Sequence, residues 1–387
     1  MRCTIAAATA ALFLSLPAAA EVTVSVHYLA VERELPPTLS NLDPRPERLG
    51  LDGAAVALDD NATTGRFMGQ TYTLSETVVP LGDDVVEAAR AALAETPLLV
   101  VDGPTEALLA IADLPEADGA LIFNATEGDV ALRGDACRAN VLHTIPSTAM
   151  RTDALAQFLV KKRWDDLPLI AGAHPQDMAY ASALERSLTK FGLSVGDRKD
   201  WVFDADMRRN ASQEVPLFTQ DLGDYDALLV ADELGDFGRY ILYNTWEARP
   251  IAGSEGLSAV TWAPVVEQWG AVQLQNRFEE AAGREMAPED YGAWAAVRAI
   301  GEAVTRTNSA DPAVLRDFLL SDGFELAGFK GRPLTFRAWN GQLRQPIPLV
   351  HPRALVALAP LEGFLHQRTE LDTLGIDEPE STCTAFN

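Results

Sequence analysis

Twice along its 387 residues the chain repeats one unit, a short apolar β-branched run followed by a stretch of helical periodicity. The first series opens with VTVSVHYLAV (22–31), whose valines suit a pleated strand. LGLDGAAVALDDNATT then reads as a helix and GQTYTLSETVV as a second strand. DDVVEAARAALAE is a helix with acids in its first turn, where the helix dipole favours negative charge. PLLVVDGP has the unbroken apolar run of a strand buried on both faces, TEALLAIADL is a helix, and GALIFNAT is a strand. The second series starts near residue 150: helix MRTDALAQFLVKKRW, strand LPLIAGAHP, helix QDMAYASALERSLTKFG ended by Gly192, strand YDALLVADE, helix LGDFGRYILYN and strand RPIAGSEGL. Such alternation predicts the α/β class, with parallel sheets covered by helices on both faces. At roughly 150–200 residues per domain, the length allows two such units.

Three more helices follow: APVVEQWGAVQLQNRFEEAAGR, PEDYGAWAAVRAIGEAVTRT and DPAVLRDFLLSD, with Pro264, Pro288 and Pro312 each in a first turn. Trp269 falls in step with Val265 and Val272, and Trp294 with Val297 and Val304, which places both indoles in a core. The run FKGRPLTFRAWNGQLRQPI (329–347) gathers Lys330, Arg332, Arg337 and Arg344 among aromatic residues. Asn340-Gly341 predicts a two-residue type I′ hairpin turn. Pro346 and Pro348 lack amides on the same side, so the hairpin is expected at a sheet edge with its cations mostly solvated.

The chain begins with Arg2, an apolar run from Ile5 to Leu16, Pro17 and the small triplet Ala18-Ala19-Ala20. This is the layout of a secretory signal peptide cleaved after Ala20, and it predicts export to the periplasm. The formal net charge of -25 repels nucleic acid and anionic membrane surfaces. Cleavage leaves two cysteines, Cys137 and Cys383, and an even pair in an exported chain invites a disulfide, with two buried thiols as the alternative. No CxxC, GxGxxG, GxSxG or phosphate-binding loop is present, and no two of the five histidines have metal-ligand spacing. An enzyme and a metal site are therefore not expected.

With these elements in order, the chain resembles the type I periplasmic solute-binding proteins of branched-chain amino-acid ABC transporters. GLDGAAVALDDNATTGRFMGQTYTL resembles that family's early helix, turn and second strand, with Thr64-Gly65 where two glycines are usual. VLHTIPSTAMRTDALAQFLVKKRW resembles the passage from the first lobe to the second. The late hairpin has the family's Gly-x-x-x-x-Phe-x-x-x-Asn-Gly pattern. LHTIPSTAM, EQWGAVQLQNRF, FRAWNGQLRQPI and FLHQ with LDTLG are similar to a subgroup associated with pyrroloquinoline-quinone-dependent catabolism. The resemblance implies two doubly wound parallel-sheet lobes joined by a three-strand hinge. Residues 21–142 plus 254–328 would form the first lobe, and 143–253 plus 329–387 the second, with hinge segments near 141–146, 248–256 and 327–334. It puts Cys137 and Cys383 near the hinge, where a disulfide would pin the tail. It also implies a monomer that closes on its ligand and is read by a membrane permease.

Ligands of parallel α/β sheets sit at the carboxyl ends of the strands. The candidates in the first lobe are Tyr28, Thr105, Asn124 and Thr126, with Thr105 opening a helix whose amides suit a carboxylate. In the second lobe they are His174, Gln176, Asp232, Glu233 and Glu255. By family position, Thr105, Asn124 and Thr126 match the part that holds an amino acid's carboxylate, and Asp232 or Glu255 the part that holds its ammonium. The usual serine-rich loop after the third strand is missing. Pyrroloquinoline quinone is the first ligand expectation, since cations Arg133, Arg151 and Arg249 and aromatic residues Tyr28, Trp246 and Trp262 fall near strand ends or crossovers. Arg133 has an alternative partner in Asp129, four residues away. Amino acids are the second expectation. A periplasmic accessory protein delivering cofactor to a quinoprotein dehydrogenase is the alternative without transport.

Overall fold

The computed structural model describes residues 21–36, 45–201 and 207–386, so the expected leader and its cleavage point lie outside the described residues. The first sheet has the order β2-β1-β3-β4-β5, formed by β1 (Val22–Val31), β2 (Gln70–Val79), β3 (Leu98–Asp102), β4 (Leu121–Asn124) and β5 (Val141–His143). All its pairings are parallel. Helices α1 (Leu51–Met68), α2 (Val85–Glu95) and α3 (Thr105–Ala112) connect these strands. Asp84 starts α2 by accepting from the amides of Val86 and Glu87, which confirms the acidic helix start.

The second sheet is parallel with the order β7-β6-β8-β9, formed by β6 (Leu169–Ala171), β7 (Arg198–Asp200), β8 (Leu228–Ala231) and β9 (Ile251–Gly253). It carries α4 (Thr148–Lys162), α5 (Pro175–Lys190), α6 (Met207–Thr219) and the single turn α7 (Gly238–Ile241). The chain continues with β10 (Ser258–Ala259), α8 (Ala271–Ala282), α9 (Pro288–Thr307), α10 (Pro312–Leu319), β11 (Leu326–Ala327), β12 (Pro333–Phe336), β13 (Leu343–Arg344), β14 (Ile347–His351) and β15 (Ala354–Ala359). Two parallel sheets with helices on them are the expected α/β class.

Each sheet has its own core. The first collects Val24, Val26, Phe123, Trp294, Ile300, Phe324, Leu334, Phe336 and Leu343; the second collects Leu155, Leu169, Tyr180, Leu229, Ala259, Ile347, Leu349 and Leu374. α9 lies directly on α1, and the contact needs glycine: a Cβ on Gly53 would stand 1.9 Å from the carbonyl oxygen of Asp290. The core memberships put the crossovers at 143–147, 259–262 and 343–347. The expected hinges at 248–256 and 327–334 are therefore too early, because β10 pairs with β14 in the second lobe and the hairpin packs into the first. The first and third crossovers touch, with Gln345 Nε2 donating to the carbonyl of Thr144 at 2.8 Å.

Several local expectations change. α8 starts at Ala271, so Pro264 is not in its first turn, and Trp269 stands outside the helix at φ 57° with 42% of its surface exposed. LGDFGRYILYN forms only α7, followed by turns. Of the Asn340-Gly341 pair only Gly341 has positive φ, and Arg337 N donates to Gln342 O, so the loop is wider than a two-residue type I′ turn. The expected second strand splits. β13 pairs with β12, while β14 lies in the middle of the three-stranded sheet β10-β14-β15. Pro348 sits in that central strand because its carbonyl, which proline retains, accepts from Val260 N at 3.0 Å.

The hairpin's cations are mostly buried rather than solvated. Lys330 is 2% exposed, donates to Gln345 Oε1 and lies 4.3 Å from the ring centre of Tyr291. Arg337 is 1% exposed and donates to Asp372 and to the carbonyl of Leu374. Arg344 shares Asp372, and Arg332 pairs with Glu370. All but Lys330 are claimed by carboxylates of the C-terminal tail, which pairing the sequence pattern does not announce. Cys137 and Cys383 form a disulfide with their Cα atoms 5.7 Å apart.

Candidate functional site

The strand order reverses between β1 and β3 in the first sheet and between β6 and β8 in the second. These are the switch points at which a crevice opens beyond the strand ends. In the first lobe, Arg33 follows the end of β1. It donates to Asp102 Oδ1 at 3.4 Å, to Thr126 Oγ1 at 3.0 Å and to Glu127 Oε2 at 3.4 Å. Thr126 in turn donates to Asp102 at 2.6 Å. Burial raises the Glu127 pKa, and Arg33 opposes the shift.

In the second lobe, Arg151 on α4 makes a bidentate pair with Glu233 at 2.6 and 3.1 Å. Its Nε donates to the carbonyl of Ala259 at 2.9 Å, on the second crossover. Burial disfavours the guanidinium's charge, but Glu233 more than offsets this and the net shift is upward. Ser254, just past β9, donates to Glu233 at 3.0 Å. Asp232 accepts from the amides of Asp236, Phe237 and Gly238, yet burial outweighs those bonds and pushes its pKa up to about 6.

Glu289 is linked to both groups by charge. It lies in the first turn of α9 and is only partly exposed, and its carboxylate bonds to its own amide but to no other residue among the described residues. Burial raises its pKa; Asp102 and Asp290 add to the shift and Arg33 opposes it. The Arg151 guanidinium of the other lobe also feels its charge. Both arginines are therefore already engaged by carboxylates of their own lobes, and Glu289 adds a further acid to the same charged surroundings.

The structure distributes the sequence candidates unevenly. Thr126, Arg151 and Glu233 lie in the two charged clusters. Tyr28 lies beneath the first, 1% exposed, its hydroxyl donating to Asp102 at 3.4 Å. Asn124 clasps its own turn, accepting from Glu127 N at 2.9 Å and donating to Glu127 O at 2.8 Å. Thr105 donates to Asp129 at 2.9 Å, and no side chain caps α3. His174 pairs with Asp236 at 2.9 Å, Gln176 is exposed in the first turn of α5, and Glu255 follows β9 with a half-buried side chain.

Four cation or aromatic expectations are corrected. Arg133 is buried inside the first lobe, where it donates to Gln342 Oε1 and to the carbonyls of Glu127, Asp129 and Ile145. Its pKa falls to about 9 because burial opposes the charge. Trp262 is a core residue, 2% exposed, stacked on Tyr291 at 4.9 Å and donating to Gln275. Arg249 and Trp246 precede β9 and so lie at the end of the sheet opposite the cleft; Arg249 pairs there with Asp224.

Sequence reasoning missed Arg33, Asp102, Glu127 and Glu289. Asp102 was findable as the last residue of β3, by the same strand-end rule that selected Thr105. Glu289 gave no such signal, since an acid in a first helical turn is ordinarily explained by the dipole alone.

No family model matches the chain, and no curated protein does. Solved structures do. A branched-chain amino-acid ABC transporter periplasmic ligand-binding protein from Burkholderia xenovorans LB400 is similar at TM-score 0.72 and 14% identity, over 94% of this chain and 100% of that one. A solute-binding protein of an ABC transporter from R. palustris, in complex with benzoate, is similar at TM-score 0.64 and 12% identity, over 94% and 99%. An ABC transporter substrate-binding protein from Desulfitobacterium hafniense, in complex with Leu, is similar at TM-score 0.62 and 15% identity, over 86% and 98%. With the two switch-point sheets and three crossovers already described, this likeness gives the chain the two-lobed fold of the periplasmic ligand-binding proteins of ABC transporters.

Proposed function

We propose that this protein is the substrate-binding component of an ABC transporter, working in the periplasm without chemistry on its ligand. A small polar ligand enters between the lobes, contacts both, and shifts them to a closed form that a permease reads. The observation that carries this reading is the cleft itself. Arg33 with Asp102 and Glu127 lies on one lobe, Arg151 with Glu233 on the other, and Glu289, bonded to no other residue among those described, feels the charge of both arginines.

The same charges favour an amino acid over the quinone. An ammonium suits Glu289, which has no bond to another described residue, and a carboxylate suits the α3 N-terminus, which no side chain caps. A tricarboxylate needs cations not already neutralised, and Arg133 and Arg249 are committed elsewhere; the ring system needs an aromatic wall, and Trp262 is stacked on Tyr291 in the core. The subgroup-like runs are also occupied structurally: Arg337 and Arg344 hold the tail, and Gln342 and Gln345 hold the crossovers. Pyrroloquinoline quinone rests on the sequence resemblance and stays as the second ligand.

Calorimetry with leucine, a panel of other amino acids and the quinone tests the choice. Saturable heat with an amino acid and none with the quinone is expected; the opposite result restores the quinone. Mass spectrometry of the small molecules that co-purify identifies the natural ligand. Pull-down of a permease rather than a dehydrogenase separates uptake from cofactor delivery.

A further inference from the structure

Three crossovers join the lobes, but the chain crosses between them once more. After β15 the tail runs along the second lobe, where Phe364 packs on Phe191 and Leu374 enters the core. Gly375 N donates to Asp153 at 2.7 Å and Lys190 donates to the Gly375 carbonyl at 2.9 Å, tying this segment to α4 and α5. The same segment is held by the first lobe: Asp372 accepts from Arg337 and Arg344, and Leu374 O accepts from Arg337. The tail then reaches the first lobe outright, where Phe386 lies under Arg316 and Cys383 is bonded to Cys137.

We propose that this tail is a strap, a fourth connection between the lobes that the disulfide closes covalently, and that it limits how far they part. The physical argument is one of reach. If the lobes rotate apart, Asp153 and Lys190 move with the second lobe while Arg337 and Cys137 move with the first. Asp372 and Leu374 can follow only one of them, and Arg337 is too deeply buried to lose its carboxylate freely. Once that contact yields, the covalent link remains. The stretch from Ile376 to Cys383 spans at most about 24 Å when fully extended. Glu378–Glu380 is wound into a short 3-10 turn, which stores some slack. The strap therefore permits a bounded swing. This inference rests on the reading that the lobes move about the crossovers, but its readout needs no ligand.

The test compares three forms of the mature, extensively dialysed protein by small-angle scattering: the parent, Cys137→Ser with Cys383→Ser, and a variant that keeps the disulfide but carries eight Gly/Ser residues between Glu380 and Ser381. Both altered forms are expected to show a larger radius of gyration than the parent. The insertion is expected to do so with an unchanged melting temperature, which separates strap length from stability. A parent-like radius in the insertion variant overturns the proposal, whether or not the serine pair folds. Amino-acid binding by the parent is measured separately, so failure of the ligand reading and failure of the strap are distinct results.

Discussion

Arg337 Nε donates to Asp372 Oδ1 at 2.9 Å, with the two side chains 1% and 4% exposed. Arg344 donates to the same oxygen at 2.8 Å, so one tail carboxylate neutralises two guanidinium groups of the hairpin. Removing it leaves both without their counter-charge. Asp372→Asn is expected to cost about 3–5 kcal/mol, the scale for breaking a buried ion pair from one side. Arg337→Met is expected to cost less, because Arg344 still holds Asp372 and the new side chain fills the space. Urea unfolding of both variants checks the order.

The Cys137–Cys383 bond closes a loop of sequence separation 246. In the chain-entropy account a loop of that length stabilises by about 5 kcal/mol. The mature protein, unfolded without reductant, is expected to show no free thiol on titration. Adding reductant is expected to lower the unfolding midpoint and to release two thiols.

Glu289 is a burial-raised carboxylate whose hydrogen bond comes from its own amide and from no other described residue. A carboxyl whose folded pKa is raised contributes stability below its unfolded pKa and loses it as pH rises through the folded value. At neutral pH the charged form therefore costs stability, and Glu289→Gln is expected to raise the melting temperature. The same change is expected to weaken binding of an ammonium-bearing ligand by about 1.5–3 kcal/mol, the scale of a hydrogen bond to a charged group. Calorimetry beside a melting curve reads both effects; a fall in both would assign Glu289 to the fold instead of the ligand.

Asp232 titrates in a measurable window. Burial pushes its pKa up to about 6, from the ordinary value of about 4 in the unfolded chain. Its contribution to stability is complete below about pH 4 and is lost as pH rises through about 6. Melting temperatures of the parent and of Asp232→Asn, followed from pH 4 to 7, are expected to lie closest at the acid end and to separate as pH rises through about 6, where the parent loses stability that the variant keeps.

The local elements of this protein were written in its sequence. β1, β2 and α2 fall where valine-rich runs, helical spacing and Asp84 put them, because strand and helix periodicity and capping depend on neighbours a few residues away. The alternation of those elements settled the α/β class, and a count of cysteines was enough to suggest their pairing. The site was legible only in part. Thr126, Arg151 and Glu233 stand at strand ends or helix starts and were found by that rule. What the tertiary structure alone decided was the fate of each charge and ring. Trp262 and Arg133 went inside because Tyr291 and Gln342 wait there, and the hairpin cations were buried because Asp372 returns to them from the tail. Glu289 reached the cleft because α9 packs along α1 and carries its first turn to the ends of a sheet completed long before it in the chain. A side chain's charge is a local property, but whether it is paired, solvated or left for a ligand depends on partners that only the folded chain brings within reach.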